Sequence, residues 1–161
     1  MAKLVDSKET IAVLQKTNFQ FKKQFGQNFL IDSSVLDHII SHAKIQKEDL
    51  VIEIGPGIGT LTEALCEHAG QVIAIEIDDK LIPILEENLA GKENFRLLHQ
   101  DVLKVDFTEL LKEYPDFHSV KVVANLPYYI TTPILLSLLE KKLPLSSITV
   151  MVQKEVAERM Q

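Results

Sequence analysis

The stretch L-V-I-E-I-G-P-G-I-G-T, residues 50–60, predicts the fold of this chain. Its first five residues form an apolar strand pattern, its glycines predict a turn, and a helical pattern begins at Thr60. Strand, glycine loop and helix in this order are typical of a doubly wound α/β sheet. The glycines would let backbone approach a ligand, and the helix N-terminus would offer it unpaired N–H groups. A tight turn without a ligand is the alternative interpretation.

Downstream of this stretch, strand and helix patterns alternate until the chain has five predicted strands. These strands are rich in β-branched residues and apolar on both faces, as buried parallel strands are. Right-handed crossovers then give a doubly wound, Rossmann-like, mostly parallel sheet. The predicted strands are residues 50–54, 71–77, 95–100, 119–124 and 148–152.

Two regions are predicted before the first strand. Residues 1–30 hold a short capped helix and a basic aromatic segment, with five lysines against two acidic residues. A second helix follows, and its predicted buried face holds Val35, Ile39, Ile40 and Ala43. We therefore expect residues 1–30 to form an N-terminal helix and segment, and residues 31–161 to form the α/β core.

Composition is typical of a cytoplasmic globular protein. The 161 residues are 46% hydrophobic and 25% charged, which suits one domain. The single cysteine, Cys66, cannot form an internal disulfide, as expected in a reducing compartment. No apolar run reaches the ~18 residues that a membrane span needs. A net charge of −6 argues against a generic nucleic-acid binder, although basic residues collect near the N-terminus.

Two acidic residues follow the second and third strands. Glu76 stands where a carboxylate accepts hydrogen bonds from a ribose diol. Asp101 would accept from the exocyclic amine of adenine. The alternatives are an exposed strand-end charge for Glu76 and a turn cap for Asp101. Both NAD and S-adenosylmethionine (SAM) contain adenosine, but the G-x-G-x-G spacing differs from the G-x-G-x-x-G of dinucleotide sites.

The fourth strand leads into A-N-L-P-Y-Y-I-T, residues 124–131. Asn125 offers an amide oxygen, and the carbonyl of Leu126 or Pro127 can point into a pocket because the residue before proline is extended. Tyr128 offers a flat face on which a flipped-out base stacks. Acceptors on both N–H groups of an adenine amine make its nitrogen more nucleophilic, and a sulfonium methyl held in line leaves proximity as the main catalytic effect. A turn with a buried aromatic is the alternative.

Taken together, these motifs resemble the ribosomal RNA adenine N6-dimethyltransferase family. The residues that carry the resemblance are F-G-Q-N-F-L at 25–30, E-I-G-P-G-I-G-T at 53–60, Glu76, Asp101 and N-L-P-Y-Y-I at 125–130. The first and last motifs are more specific to this family than the glycine loop, which many SAM-dependent enzymes share. They favour the bacterial KsgA type over the Erm antibiotic-resistance methylases. The resemblance implies a class I SAM-dependent methyltransferase fold.

The resemblance also implies a cofactor site and its residues. The cofactor SAM would be contacted by Gln27, Asn28, Leu30, Gly55, Gly57, Glu76, Ile77, Asp101, Val102 and Asn125. Within this set, Gly55 and Gly57 would pass beneath the methionine part, Glu76 would hold the ribose hydroxyls and Asp101 the adenine.

A target pocket is implied as well, formed by the catalytic set Asn125, Leu126, Pro127 and Tyr128. The basic segment would be a lid near the RNA, with Lys22 and Lys23 facing phosphates. Alternatively, its phenylalanines pack against the sheet. His38 and His42 share a helix face, but no third ligand is evident, so no metal site is expected.

The implied reaction is dimethylation of N6 on two adjacent adenines near the 3′ end of small-subunit ribosomal RNA. The implied partner is the 30S subunit precursor, and the full-length protein is expected to be a cytoplasmic monomer without a membrane segment. Three alternatives stay open: an Erm-like large-subunit methylase, a ribosome-assembly factor with secondary catalysis and, more distantly, a dehydrogenase. The chain ends within a helical pattern at residues 158–161, so we expect a truncated catalytic domain that lacks the last strands and a C-terminal helical domain.

Overall fold

The computed structural model describes residues 33–125 and 131–151, which form a five-stranded, wholly parallel sheet with helices on both faces. The strands are β1 (Asp49–Ile54), β2 (Gln71–Glu76), β3 (Phe95–His99), β4 (Ser119–Asn125) and β5 (Ser147–Met151). The helices are α1 (Ser33–Ala43), α2 (Thr60–His68), α3 (Ile82–Asn88), α4 (Phe107–Lys112) and α5 (Thr131–Glu140), with a 3₁₀ turn at Val102–Lys104. The predicted α/β class and doubly wound architecture are confirmed.

The strand order is β3-β2-β1-β4-β5. The first three strands are therefore added in one direction, from β1 to β3, and the chain then returns to place β4 on the other side of β1. The point between β1 and β4 is a topological switch point, where ligands of open α/β sheets bind at the carboxyl ends of the strands.

Two apolar layers hold the helices against the sheet. On one face, α1 and α2 pack on the central strands through side chains such as Ile39, Leu65 and Val51. On the other face, Phe107 of α4 and Ile134 of α5 pack on alternate residues of the same strands. A third cluster joins α3 to Ile58 of the glycine loop, so this loop is anchored from outside the sheet as well.

The prediction of strands buried on both faces holds only for the centre of the sheet. Every residue of β1 is buried, whereas β3 is half-buried up to an exposed His99. The described side chains of β5 are half-buried too. The reason is position, because β3 and β5 are the two edges of the described sheet and each has one neighbouring strand.

The structure corrects the buried face of α1 and the bounds of the predicted strands. On α1 the buried face is Leu36, Ile39, Ile40 and Ala43, and Val35 is only half-buried. Leu36 lies three, four and seven residues before the other three, so it shares their face, and Val35 lies beside it. The second and third strands end one residue earlier than predicted, at Glu76 and His99, the first and fifth begin one residue earlier, at Asp49 and Ser147, and the fourth ends one residue later, at Asn125. The predicted helix and segment within residues 1–30, and the helix expected after residue 152, lie outside the described residues.

Candidate cofactor site

Four neighbouring strands bring the predicted site together at the carboxyl ends of the strands, which is called the carboxyl edge of the sheet. Across the carboxyl ends of these strands, the chain places Asp101 after β3, Glu76 at the end of β2, the glycine loop after β1 and the backbone of Asn125 at the end of β4. The predicted residues are far apart in sequence, and the parallel sheet places them in a row beside the switch point.

The glycine loop, residues 55–59, is held by hydrogen bonds. Gly55 N donates to Ile75 O of β2 at 3.1 Å, and Gly59 N donates to Pro56 O at 3.0 Å within the loop. From α3, the Asn88 amide donates to Ile58 O at 2.8 Å. These bonds tie the loop to β2 and α3 and to itself, so its backbone is preorganised.

The loop needs glycine at Gly59. Its φ is +96°, in the left-handed region, and an added Cβ would lie 3.2 Å from Leu89 Cδ1. Replacing Gly59 by alanine should therefore lower the free energy of unfolding by about 1–3 kcal/mol, through backbone strain and crowding. Urea unfolding measures the loss. Gly91→Ala is the matched control, because Gly91 is exposed and has no positive φ; equal losses in both variants would contradict the argument.

Glu76 is buried at the end of β2, with only 4% of its surface exposed. Its Oε2 accepts from the backbone amides of Ile77 at 2.9 Å and Asp78 at 3.1 Å. Burial raises the pKa of Glu76 to about 7, against the lowering effect of these amides and that of Gly57. Both of these hydrogen bonds go to Oε2, so Oε1 keeps acceptor capacity for a ligand.

Asp101 and its neighbours lie beside Glu76. Asp101 is half-buried, and its Oδ1 accepts from Leu103 N at 3.0 Å, so it caps the 3₁₀ turn. The cap predicted as the alternative role of Asp101 is therefore present, and the second carboxylate oxygen is not used in it. Val102 is buried, whereas Ile77 is 61% exposed at this edge. An exposed isoleucine next to a buried acid offers an apolar surface for a flat ring.

Of the predicted target pocket, residues 125–128, the structure describes only Asn125 at the end of β4. The backbone of Asn125 pairs in register with Met151 of β5, which places this residue at the same edge as Glu76. The remaining predicted site residues lie outside the described part of the chain: Lys22, Lys23, Gln27, Asn28, Leu30, Leu126, Pro127 and Tyr128.

Sequence reasoning missed Glu53, an acid within the apolar strand β1. It is 1% exposed and accepts a hydrogen bond from Thr62 Oγ1 of α2. Burial raises the pKa of Glu53 to about 8, and the nearby Glu76 contributes to the rise, while the bond from Thr62 opposes it. The available signal was the charge itself, because L-V-I-E-I places one acid in an otherwise apolar central strand.

The described residues fit an adenosine-containing cofactor. Positive φ angles at Gly55 and Gly57 let the backbone approach a ligand. At the start of α2, Thr60 Oγ1 is buried without a hydrogen-bond partner in the described structure. An acceptor for a diol and an apolar surface for a ring follow at Glu76 and Ile77. Within residues 33–125 and 131–151, no cluster of three metal-ligating side chains occurs. Nor is any helix of that part long and apolar enough to cross a membrane.

Comparison with known proteins shows which family this chain resembles in sequence. Residues 18–161 match the model of the family described as ribosomal RNA adenine dimethylase. The chain is 57% identical over 162 residues to the ribosomal RNA small subunit methyltransferase A of Lachnoclostridium phytofermentans, covering 100% of this chain and 56% of that protein. It is 53% identical over 160 residues to the same-named protein of Clostridioides difficile, covering 99% and 55%. The chain thus spans about half the length of these curated relatives.

Solved structures give the same fold. The 23S rRNA methyltransferase ErmE is 32% identical with a TM-score of 0.68, covering 81% of this chain and 50% of that one. A dimethyladenosine transferase from Plasmodium falciparum is 34% identical with a TM-score of 0.66, covering 80% and 44%. The likeness covers about four fifths of this chain in both cases.

Proposed function

The chain belongs to the ribosomal RNA adenine dimethylase family, and from this premise we propose that it is the catalytic part of a SAM-dependent enzyme that dimethylates N6 of adenine in ribosomal RNA. The observation that carries the proposal is the row of Asp101, Glu76, the glycine loop and Asn125 along one sheet edge. This row combines acceptors for adenine and ribose with an amide at the next strand end.

The proposed chemistry assigns each described residue a task. Bound SAM supplies an electrophilic methyl group on a sulfonium. Glu76 accepts hydrogen bonds from the ribose hydroxyls, Asp101 accepts from the adenine amine, and the exposed side chain of Ile77 packs on the adenine ring. The backbone of Gly55 and Gly57 passes beneath the methionine part. Asn125 then orients the target amine with its lone pair toward the methyl group, so the main catalytic effect is proximity and orientation.

The proposed substrate is small-subunit ribosomal RNA, at two adjacent adenines near its 3′ end, within a precursor of the 30S subunit in the cytoplasm. The names of the relatives at 57% and 53% identity support the small subunit. The proposed pocket for the flipped-out base is Leu126, Pro127 and Tyr128, with Lys22 and Lys23 on RNA phosphates. We propose that the full-length protein acts as a monomer.

A second candidate function is methylation of large-subunit RNA, favoured by the likeness to ErmE at 32% identity. Identity to the small-subunit relatives is higher and covers the whole chain, so we place this candidate second. Expression of the full-length protein in a macrolide-sensitive strain separates the two. Resistance supports the large-subunit function, and restored methylation of under-methylated small subunits supports the first. Rescue of subunit maturation by a catalytically dead full-length variant would instead support a ribosome-assembly role.

We predict that the 161-residue chain binds SAM and S-adenosylhomocysteine (SAH) by itself. The glycine loop, Glu76 and Asp101 all lie within residues 33–125, where the fold already joins them. Isothermal titration with each ligand measures this, and NAD serves as the control ligand that should not bind. A folded sample that binds neither SAM nor SAH would contradict the adenosine assignment of Glu76 and Asp101.

A further inference from the structure

Glu53 is a buried acid to which the proposed reaction gives no task. It lies in the middle strand β1, and its partners in register on both sides are apolar, Ala74 on β2 and Val123 on β4. Only 1% of Glu53 is exposed, so it does not lie at the surface of the cleft.

The hydrogen bond that Glu53 accepts from Thr62 connects the two sides of the glycine loop. Thr62, the donor, is the third residue of α2 and is fully buried. Glu53 precedes the glycine loop by two residues, and Thr62 follows it by three. The bond from Thr62 Oγ1 to Glu53 Oε1 therefore spans the loop, and joins the strand before it to the first turn of the helix after it.

The charged surroundings of Glu53 are acidic. Glu76 lies diagonally across on β2, and both side chains face the α2 side of the sheet, because residue 74 is the register partner of Glu53 and residue 76 has the same parity. Beyond Glu76 stands Asp78, and on α2 the titratable neighbour of Glu53 is Cys66, which is in turn influenced by the acids Glu63 and Glu67 and by the base Lys92. No basic side chain of the described residues contributes to the pKa of Glu53.

A carboxylate in such a place is unfavourable, since burial and a neighbouring acid both penalise the charge. The raised pKa of about 8 means that Glu53 holds its proton at neutral pH. Because the ordinary value is 4.5, the folded state binds this proton more tightly than the unfolded chain does. The stability from this proton is complete below about pH 4.5 and is lost as the pH rises through about 8. An apolar side chain would carry no such penalty.

We propose that Glu53 is a positioning residue for the cofactor site: its hydrogen bond from Thr62 fixes the first turn of α2 and thereby fixes the two ends of the glycine loop relative to each other. The inference rests on the proposed function, because the loop is taken to hold SAM. A directional hydrogen bond fixes the orientation of a helix turn, which apolar packing alone does not. The residue is kept at a cost in stability, as functional groups in a core often are.

The test separates ligand affinity from stability in the 161-residue chain. For Glu53→Leu we expect SAH affinity at least tenfold weaker by isothermal titration, with an unchanged or higher urea midpoint at pH 8. For Glu53→Gln we expect affinity within about threefold of wild type, because the amide oxygen still accepts from Thr62. Thr62→Val removes the same bond from the other side and should also weaken SAH binding about tenfold, whereas Thr62→Ser should retain it.

Several results would overturn the inference. One is SAH affinity unchanged in both Glu53→Leu and Thr62→Val. Another is a parallel loss of urea midpoint and affinity in Thr62→Val that Thr62→Ser does not rescue, because that pattern is purely structural. A third is tenfold weaker binding by Glu53→Gln, which would mean that the negative charge matters. If the wild-type chain itself binds no SAH, the proposed function fails and the inference with it, and this outcome differs from a loss confined to the variants.

Discussion

Replacing Asn125 by alanine in the full-length protein is expected to lower the rate of methyl transfer by about two to three orders of magnitude, the usual effect of removing a preorganised hydrogen-bonding group from a reaction centre. Cofactor affinity should fall much less, by about tenfold or less, because the proposed ribose and adenine contacts would remain and one neutral hydrogen bond is worth about 1 kcal/mol. The reason for the difference is position. Asn125 ends β4, on the far side of the switch point from the proposed adenosine contacts.

The measurement is single-turnover methylation of under-methylated small subunits, together with SAH titration of the same variant. Gln46→Ala is a matched control, since Gln46 is an exposed amide in the turn before β1, at the opposite edge of the sheet. Its rate should equal that of the wild type. Unchanged methyl transfer in Asn125→Ala would remove Asn125 from the reaction centre. Equal losses of rate and affinity would make it a cofactor ligand only.

The position of Glu76 and Asp101 could be predicted from the sequence because it depends on local patterns. A β-branched run predicts a strand, and an acid at its end lies at the carboxyl edge of a parallel sheet whatever the strand order is. The glycine loop was predictable for the same reason, since strand, glycines and helix follow one another along the chain.

The hydrogen bond from Thr62 to Glu53 was not predictable in this way. The acid is visible in β1, but its partner Thr62 is nine residues away on α2, and only helix packing decides which side chain of the first turn lies above the strand. The raised pKa of Glu76 also depends on burial by several elements. The buried face of α1 was hard to predict for the same reason. The sequence pattern is compatible with either Val35 or Leu36 in the core, and the packing of the helix on the sheet selects Leu36.

Replacing Glu76 by glutamine is expected to weaken SAH binding by the 161-residue chain about 100-fold or more. Two hydroxyl donors on a charged acceptor contribute roughly 1.5–3 kcal/mol each, and a neutral amide keeps only part of this. Isothermal titration measures the loss. Asp79→Asn is the matched control, because Asp79 is an exposed acid near this edge that pairs with His99 at 2.7 Å. Its SAH affinity should stay within about twofold of wild type, since surface pairs contribute little.

The pH dependence of SAH affinity gives an independent test of the same carboxylate. Burial holds the pKa of Glu76 at about 7 in the empty site, and only the ionised form accepts from both ribose hydroxyls. Protonation therefore competes with the ligand, so affinity should be constant well above pH 7 and fall by about tenfold for each pH unit below it. Glu76→Gln should remove this dependence, because its amide does not titrate in that range. A wild-type affinity that stays constant from pH 5.5 to pH 8, measured on a folded sample, would show that the Glu76 carboxylate does not bind the ribose.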